Sequence, residues 1–158
     1  MEKNIYSGPL FIASDHGGYK LKKRLVRFIK KQLHIDITDL GPSSYTQDDD
    51  YSDYVLPLTK KVLKLKARGI VICKNGIGVS IVANKVTGIR AGVGYNLMAA
   101  ETMMTDDDTN VLALAAKGVS EEHAMAIVEK WLISTFSNAE RHVRRLKKIE
   151  RVEKNKKI

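Results

Sequence analysis

The stretch Ile70-Val71-Ile72-Cys73-Lys74-Asn75-Gly76-Ile77-Gly78 decides the fold. Three β-branched residues in a row suit a strand buried on both faces, and they run into Cys73 with no turn residue between. The Gly-x-Gly that follows marks a tight turn, and the apolar residues up to about Val86 read as a helix. A buried strand passing straight into a helix opens a βα unit, which places that strand in a parallel sheet.

Working outward, the same alternation repeats. Leu10-Phe11-Ile12-Ala13 reads as another buried strand. The helix after it, near Gly18 to Leu33, sets Leu21, Leu25, Phe28 and Ile29 on one face and Lys and Arg on the other. His34 to Leu40 alternates apolar and polar as a strand does, and Gly41-Pro42-Ser43-Ser44 ends it. A loop carrying Asp48-Asp49-Asp50-Tyr51 leads into a helix near Asp53 to Lys66. Toward the C-terminus, Ile89 to Val93 and Val111 to Ala115 read as strands with a helix near Asn96 to Met104 between them. Ser120 is a good N-cap for a helix through Ala124, Ile127, Val128, Trp131 and Leu132, and a last basic helix begins near Ser137. Five strands alternating with helices predict an α/β fold: a doubly wound, five-stranded parallel sheet in a flavodoxin- or Rossmann-like three-layer sandwich, with an extra C-terminal helix. Such sheets bind ligands beyond the carboxyl ends of the strands where strand order reverses, here between the first and third strands. Ser14-Asp15-His16-Gly17-Gly18 and Cys73-Lys74-Asn75-Gly76-Ile77-Gly78 therefore frame the expected site.

The 158 residues suit one domain over residues 1–151, followed by a basic tail over 152–158. With 44% hydrophobic and 28% charged residues, collagen-like, disordered and disulfide-scaffold classes are excluded. No apolar run approaches membrane-spanning length. The opening Met1-Glu2-Lys3-Asn4 lacks a signal-peptide pattern, and the single cysteine forms no intramolecular disulfide, so a cytoplasmic protein is expected. Of the net charge of +9, most belongs to one segment: Arg141 to Ile158 carries nine Lys/Arg against two Glu, and the rest 18 against 16. A basic segment of this kind holds phosphates or lies as a solvated helix face.

Gly76 and Gly78 let successive N–H groups converge at a helix N-terminus, which suits a phosphate or a developing oxyanion and equally suits a plain tight turn. Neither G-x-G-x-x-G nor a P-loop is present. Cys73 stands just before that helix, where the local field favours a thiolate, although cysteine is also a common buried residue with no chemistry. Asp15-His16 can orient a hydroxyl and contact an anion, or cap the next helix. Arg141 and Arg145, four apart, share a helix face that suits a phosphate.

Asp15-His16-Gly17, Asp50-Tyr51, Cys73 with Gly76-Ile77-Gly78, Asn84-Lys85, Thr109-Asn110-Val111 and Arg141-His142 with Arg145 together resemble ribose-5-phosphate isomerase type B, of the ribose/galactose sugar-phosphate isomerase family. The resemblance runs from about Leu10 to Arg151. It implies aldose–ketose isomerisation of a sugar phosphate, ribose 5-phosphate to ribulose 5-phosphate first of all, with no metal or organic cofactor. It casts Cys73 as the base and the backbone from Asn75 through Gly76, Ile77 and Gly78 to Ser80 as the anion hole. His16, Arg141, His142 and Arg145, joined by Lys117, would hold the phosphate, while Asp15 and Tyr51 meet sugar hydroxyls or the ring oxygen. It also implies a homodimer, or a dimer of dimers, whose sites draw on both subunits.

Two departures stand out. Lys74 replaces the first glycine of the usual loop, with Asn75 at the threonine position, and sets a charge beside the base. Asp106-Asp107-Asp108 stands where the family has His-Asn, so Asp106 takes the place of the ring-opening histidine and Asp107 that of a hydroxyl ligand. A histidine both donates and accepts near neutral pH, whereas a carboxylate in water is already ionised. Ring opening is therefore expected to be weakened or moved, or the substrate to differ. Two alternatives follow. One is a half-site subunit, of galactose-6-phosphate isomerase type, that needs a partner chain. The other is a nucleic-acid-binding protein using its basic C-terminus, which is disfavoured because no aromatic-studded basic sheet or groove-reading helix is evident.

Overall fold

The computed structural model of the chain describes residues 5–155; the N-terminal residues 1–4 and the last part of the expected tail, residues 156–158, lie outside the described residues. In chain order the elements are β1 (Leu10–Ser14), α1 (Tyr19–Lys31), β2 (Thr38–Asp39), α2 (Tyr51–Leu65), β3 (Arg68–Cys73) and α3 (Ile77–Asn84). There follow β4 (Ala91–Gly94), α4 (Leu97–Thr105), β5 (Val111–Ala115), α5 (Glu121–Ile133) and α6 (Glu140–Lys154). All strand pairs are parallel, in the order β2-β1-β3-β5-β4. The doubly wound sheet is as expected, and its order reverses between β1 and β3. At the far edge β5 lies between β3 and β4, where a flavodoxin-like sheet would run on in chain order. Burial explains the exchange. Four residues of β5, Val111-Leu112-Ala113-Leu114, are wholly buried and suit the interior, whereas Ala91-Gly92-Val93-Gly94 is half-buried and glycine-rich, as an edge strand tolerates.

Side chains alternate across the sheet with period two. Leu10, Ile12, Ile70, Ile72, Leu112 and Leu114 face a core shared with α1, α4 and α5, where Trp131 is fully buried. Phe11, Ala13, Val71, Cys73, Val111 and Ala113 face the layer made by α2 and α3.

Four expectations shift. The strand read from His34 to Leu40 shrinks to Thr38–Asp39, because His34 turns the chain at φ 55° and the N–H of Ile35 is spent on Ile29 at the end of α1. The helix read from Asp53 begins two residues earlier, with Asp50 as N-cap, and β4 is Ala91–Gly94 in place of Ile89 to Val93. The last helix begins at Glu140, since Ser134 at its φ and ψ is extended and Asn138 adopts φ 54°. It then runs through Lys154, with Asn155 as its C-cap, so the basic segment beyond Arg151 opens as helix.

Candidate active site

Two βα turns at the crossover bring one group of expected residues together. β1 and β3 are in register with Ser14 opposite Ile72, and the N–H of Asp15 donates to Ile72 O at 3.3 Å, so Asp15 and Cys73 leave neighbouring strand ends. Cys73 is 4% exposed, and the N–H of Gly76 donates to its Sγ at 3.2 Å. That bond depends on Gly76 at φ 75°, a conformation other residues resist. Asn75 Oδ1 lies 3.6 Å from the same sulfur and accepts the N–H of Ile77 at 3.1 Å. With Gly76 and Ile77 so engaged, Gly78 and Val79 hold the first-turn N–H groups of α3 that have no partner within the helix. The Ser80 hydroxyl is turned back onto Ile77 O at 2.8 Å.

Tyr51, the first residue of α2, closes over this turn: a Cβ on Gly78 would sit 2.7 Å from Tyr51 Cζ, so only glycine allows the ring so near. Asp15 is 6% exposed and accepts the N–H of Gly18 at 3.1 Å. Burial pushes its carboxyl above the usual carboxylate range, with the Gly18 N–H and His16 pulling the other way. His16 Nδ1 lies 2.7 Å from Asp49 Oδ1, and the same oxygen accepts the His16 N–H at 2.8 Å. That side-chain hydrogen bond lifts the imidazole above its ordinary value, with the nearby charges of Asp15 and Asp49 adding to it against desolvation. Lys117 joins this end of the sheet, its N–H donating to Lys74 O at 3.0 Å, and both lysines are exposed.

The remaining expected residues lie elsewhere. Asp106 caps the end of α4 and accepts from Thr105 Oγ1 at 2.8 Å. His142 is 2% exposed, with Nδ1 2.9 Å from Ser137 Oγ, 3.3 Å from Thr105 O and 3.7 Å from Asp106 Oδ1. Its Nδ1 thus faces inward and docks α6, while Arg141 and Arg145 are exposed beside it. Asp107 is exposed in the turn before β5. Asp106 and Asp107 precede Val111 and His142 packs against Thr105 and Asp106, whereas Cys73 lies level with Ala115, so about 13 Å of strand separates the two clusters. One copy of the chain does not bring His16 and the Arg141–Arg145 pair to the same phosphate. Nor does Cys73 line the larger clefts, among them one of about 410 Å³ between α6 and the β4 edge.

A family model described as Ribose/Galactose Isomerase matches residues 10–149. The chain belongs to the ribose/galactose isomerase family. Relatives include a probable ribose-5-phosphate isomerase B of Mycoplasma genitalium, 38% identical over 147 residues, which are 92% of this chain and 95% of that one. A putative sugar phosphate isomerase of Bacillus subtilis is 37% identical, over 87% and 92% of the two chains. Among solved structures, ribose-5-phosphate isomerase B of Clostridium thermocellum superposes with a TM-score of 0.88 at 40% identity, over 92% of this chain and 97% of that one. The Mycoplasma genitalium enzyme with bound ribulose-5-phosphate gives 0.89 at 37%, over 95% and 99%.

Within this family framework, sequence reasoning missed one residue that the site contains. Asp49 was legible only as one of three aspartates in a loop, and nothing in a spacing of 33 residues links it to His16. A lone carboxylate run beside Tyr51 was the one signal available.

Proposed function

We propose that this sugar-phosphate isomerase interconverts ribose 5-phosphate and ribulose 5-phosphate, with Cys73 moving the proton and with each site completed by a second copy of the chain. The observation that carries the reading is the convergence of Cys73, Asp15 and Tyr51 on the turn into α3, at the reversal point of the sheet. In the open-chain sugar, the Cys73 thiolate takes the proton from C2 as the C2–H electrons form the enediol double bond and the C1 carbonyl oxygen becomes anionic. The first-turn N–H groups of Gly78 and Val79 suit that oxygen. The sulfur then returns the proton to C1, and the C2 hydroxyl proton passes to the C1 oxyanion, so that C2 becomes the carbonyl and C1 carries the hydroxyl of the ketose. Atoms and electrons balance with no outside oxidant.

The two-copy site rests on the separation just described. His16 and the Arg141–Arg145 pair suit one phosphate only if they come from different chains. α6 supports this: it buries only His142 of its own residues, and its Leu146, Ile149 and Val152 line an open groove beside the β4 edge. Two arginines facing one phosphate would give it a bidentate grip.

Asp106 favours a second reading, a subunit whose ring-opening step is weak alone and is restored by a different partner chain. A coupled assay of the purified chain across five- and six-carbon aldose phosphates separates the two. Turnover of ribose 5-phosphate by the chain alone, lost by about 10²–10⁴-fold in Cys73→Ala, is expected. Undiminished turnover in Cys73→Ala would remove the proposed base, and no turnover of any aldose phosphate by the wild type would favour the second reading. Asp106→His is expected to speed ribose 5-phosphate turnover by restoring a group that donates and accepts; a variant no faster than wild type would show that ring opening needs no histidine here.

A further inference from the structure

His16 makes no hydrogen bond through Nε2 among the described residues, while its Nδ1 and its backbone N–H both point at one oxygen, Asp49 Oδ1, at 2.7 and 2.8 Å. The Asp49 side chain is only 8% exposed, and that of His16 is 36% exposed, so a buried carboxylate grips a ring whose other edge is open. Asp49 sits in the loop before α2, and the Tyr54 hydroxyl of α2 stands beside it. Burial alone would raise the Asp49 carboxyl, but the two His16 contacts and Tyr54 outweigh it and hold it below the usual range, as an ionised acceptor.

We propose that Asp49 is a positioning residue, whose buried carboxylate holds His16 by Nδ1 and so leaves Nε2 to meet the substrate phosphate as a cationic N–H donor. This rests on the reading of His16 as a phosphate ligand. The chemistry follows from the tautomers. With Nδ1–H committed to Asp49, a neutral imidazole presents a lone pair at Nε2, which repels phosphate oxygens. Only the imidazolium donates from both nitrogens. Asp49 therefore fixes the ring's direction and also makes phosphate capture conditional on the cation that its charge stabilises. The other groups around the ring are Asp15 from the end of β1, which also favours the cation, and Tyr45, edge-on at 6.4 Å. The backbone N of Lys74 lies 2.9 Å from the place a Cβ on Gly17 would occupy, so the start of the β3–α3 turn packs against the residue after His16.

The test is the pH dependence of KM and kcat for ribose 5-phosphate from pH 6.5 to 9 in the wild type, Asp49→Asn, Asp49→Ala and His16→Asn. Asp49→Asn keeps an acceptor but no charge, so its rise in KM with pH is expected to begin about one unit lower, with kcat within about twofold. Asp49→Ala is expected to raise KM about tenfold across the range, and His16→Asn to raise it and flatten the profile. If His16→Asn raises KM while both Asp49 variants superimpose on the wild type, the positioning role is wrong and the phosphate reading stands. If His16→Asn leaves KM unchanged, the phosphate reading falls and takes this inference with it. A wild-type measurement needs no variant to fold: the Cε1–H resonance of His16 is expected to titrate above the ordinary histidine midpoint and to move higher with inorganic phosphate. A midpoint at or below the ordinary value overturns the proposal.

Discussion

At the residue scale, Asp15 holds a charge where the fold would prefer none. Its carboxyl is raised by burial, so the folded chain binds the proton more tightly than the unfolded chain does. Stability then falls as pH rises from the ordinary carboxylate value through the folded one, and at neutral pH the ionised group is a net cost. Asp15→Asn keeps an acceptor for the Gly18 N–H and removes the charge. It is expected to melt higher than the wild type at pH 7, with the gap narrowing as pH falls through the carboxylate range. Isomerisation should drop about tenfold or more, since a charged acceptor for a sugar hydroxyl contributes about 1.5–3 kcal/mol. A lower melting point at pH 7 would show that the charge helps the fold. Much of this was legible: Asp15 and Cys73 could be placed because each ends a strand, and strand ends at the crossover are where ligands go, while Tyr51, read as part of a loop, entered only through the family resemblance. The Asp49–His16 contact was not, because it depends on how the loop of residues 40–50 folds back over a strand end.

At the element scale, β3 and α3 form the unit on which the site depends, and Gly76 is its joint. A Cβ there would lie 3.1 Å from Ala115 N and from Leu114 C at a φ of 75°, and both neighbours are backbone atoms of β5 that cannot swing away. Gly76→Ala is expected to lower stability by about 1–3 kcal/mol by chemical denaturation and to displace the N–H that meets Cys73. A variant as stable and as active as the wild type would mean that the turn tolerates a side chain. The continuous apolar runs of β1, β3 and β5 were readable because strands buried on both faces must be apolar throughout. β2 was overread because an alternating pattern in an edge segment does not distinguish a paired strand from a chain that merely lies along the sheet. The order of β5 and β4 depends on which strand is apolar enough for the interior, a comparison between elements and not a signal within one.

At the scale of the whole molecule, one chain sets the two groups of proposed site residues at opposite ends of its sheet. Cys73, Asp15, His16 and Tyr51 stand at the carboxyl ends of the strands; Asp106, Arg141 and Arg145 stand at the other. In the proposed assembly, a closed two-fold dimer would set one end of each copy against the other end of its partner and so make two sites from two chains. The family resemblance pointed to that arrangement, and the placement of α6, exposed along Leu146, Ile149 and Val152, fits it. The most direct measurement mixes two inactive variants, Cys73→Ala and Arg145→Ala, unfolds and refolds them together, and assays ribose 5-phosphate isomerisation. If the sites are shared, half of the dimers are mixed and each holds one site with both native halves, so about a quarter of wild-type activity returns. Activity no higher than that of either variant alone would contradict the account.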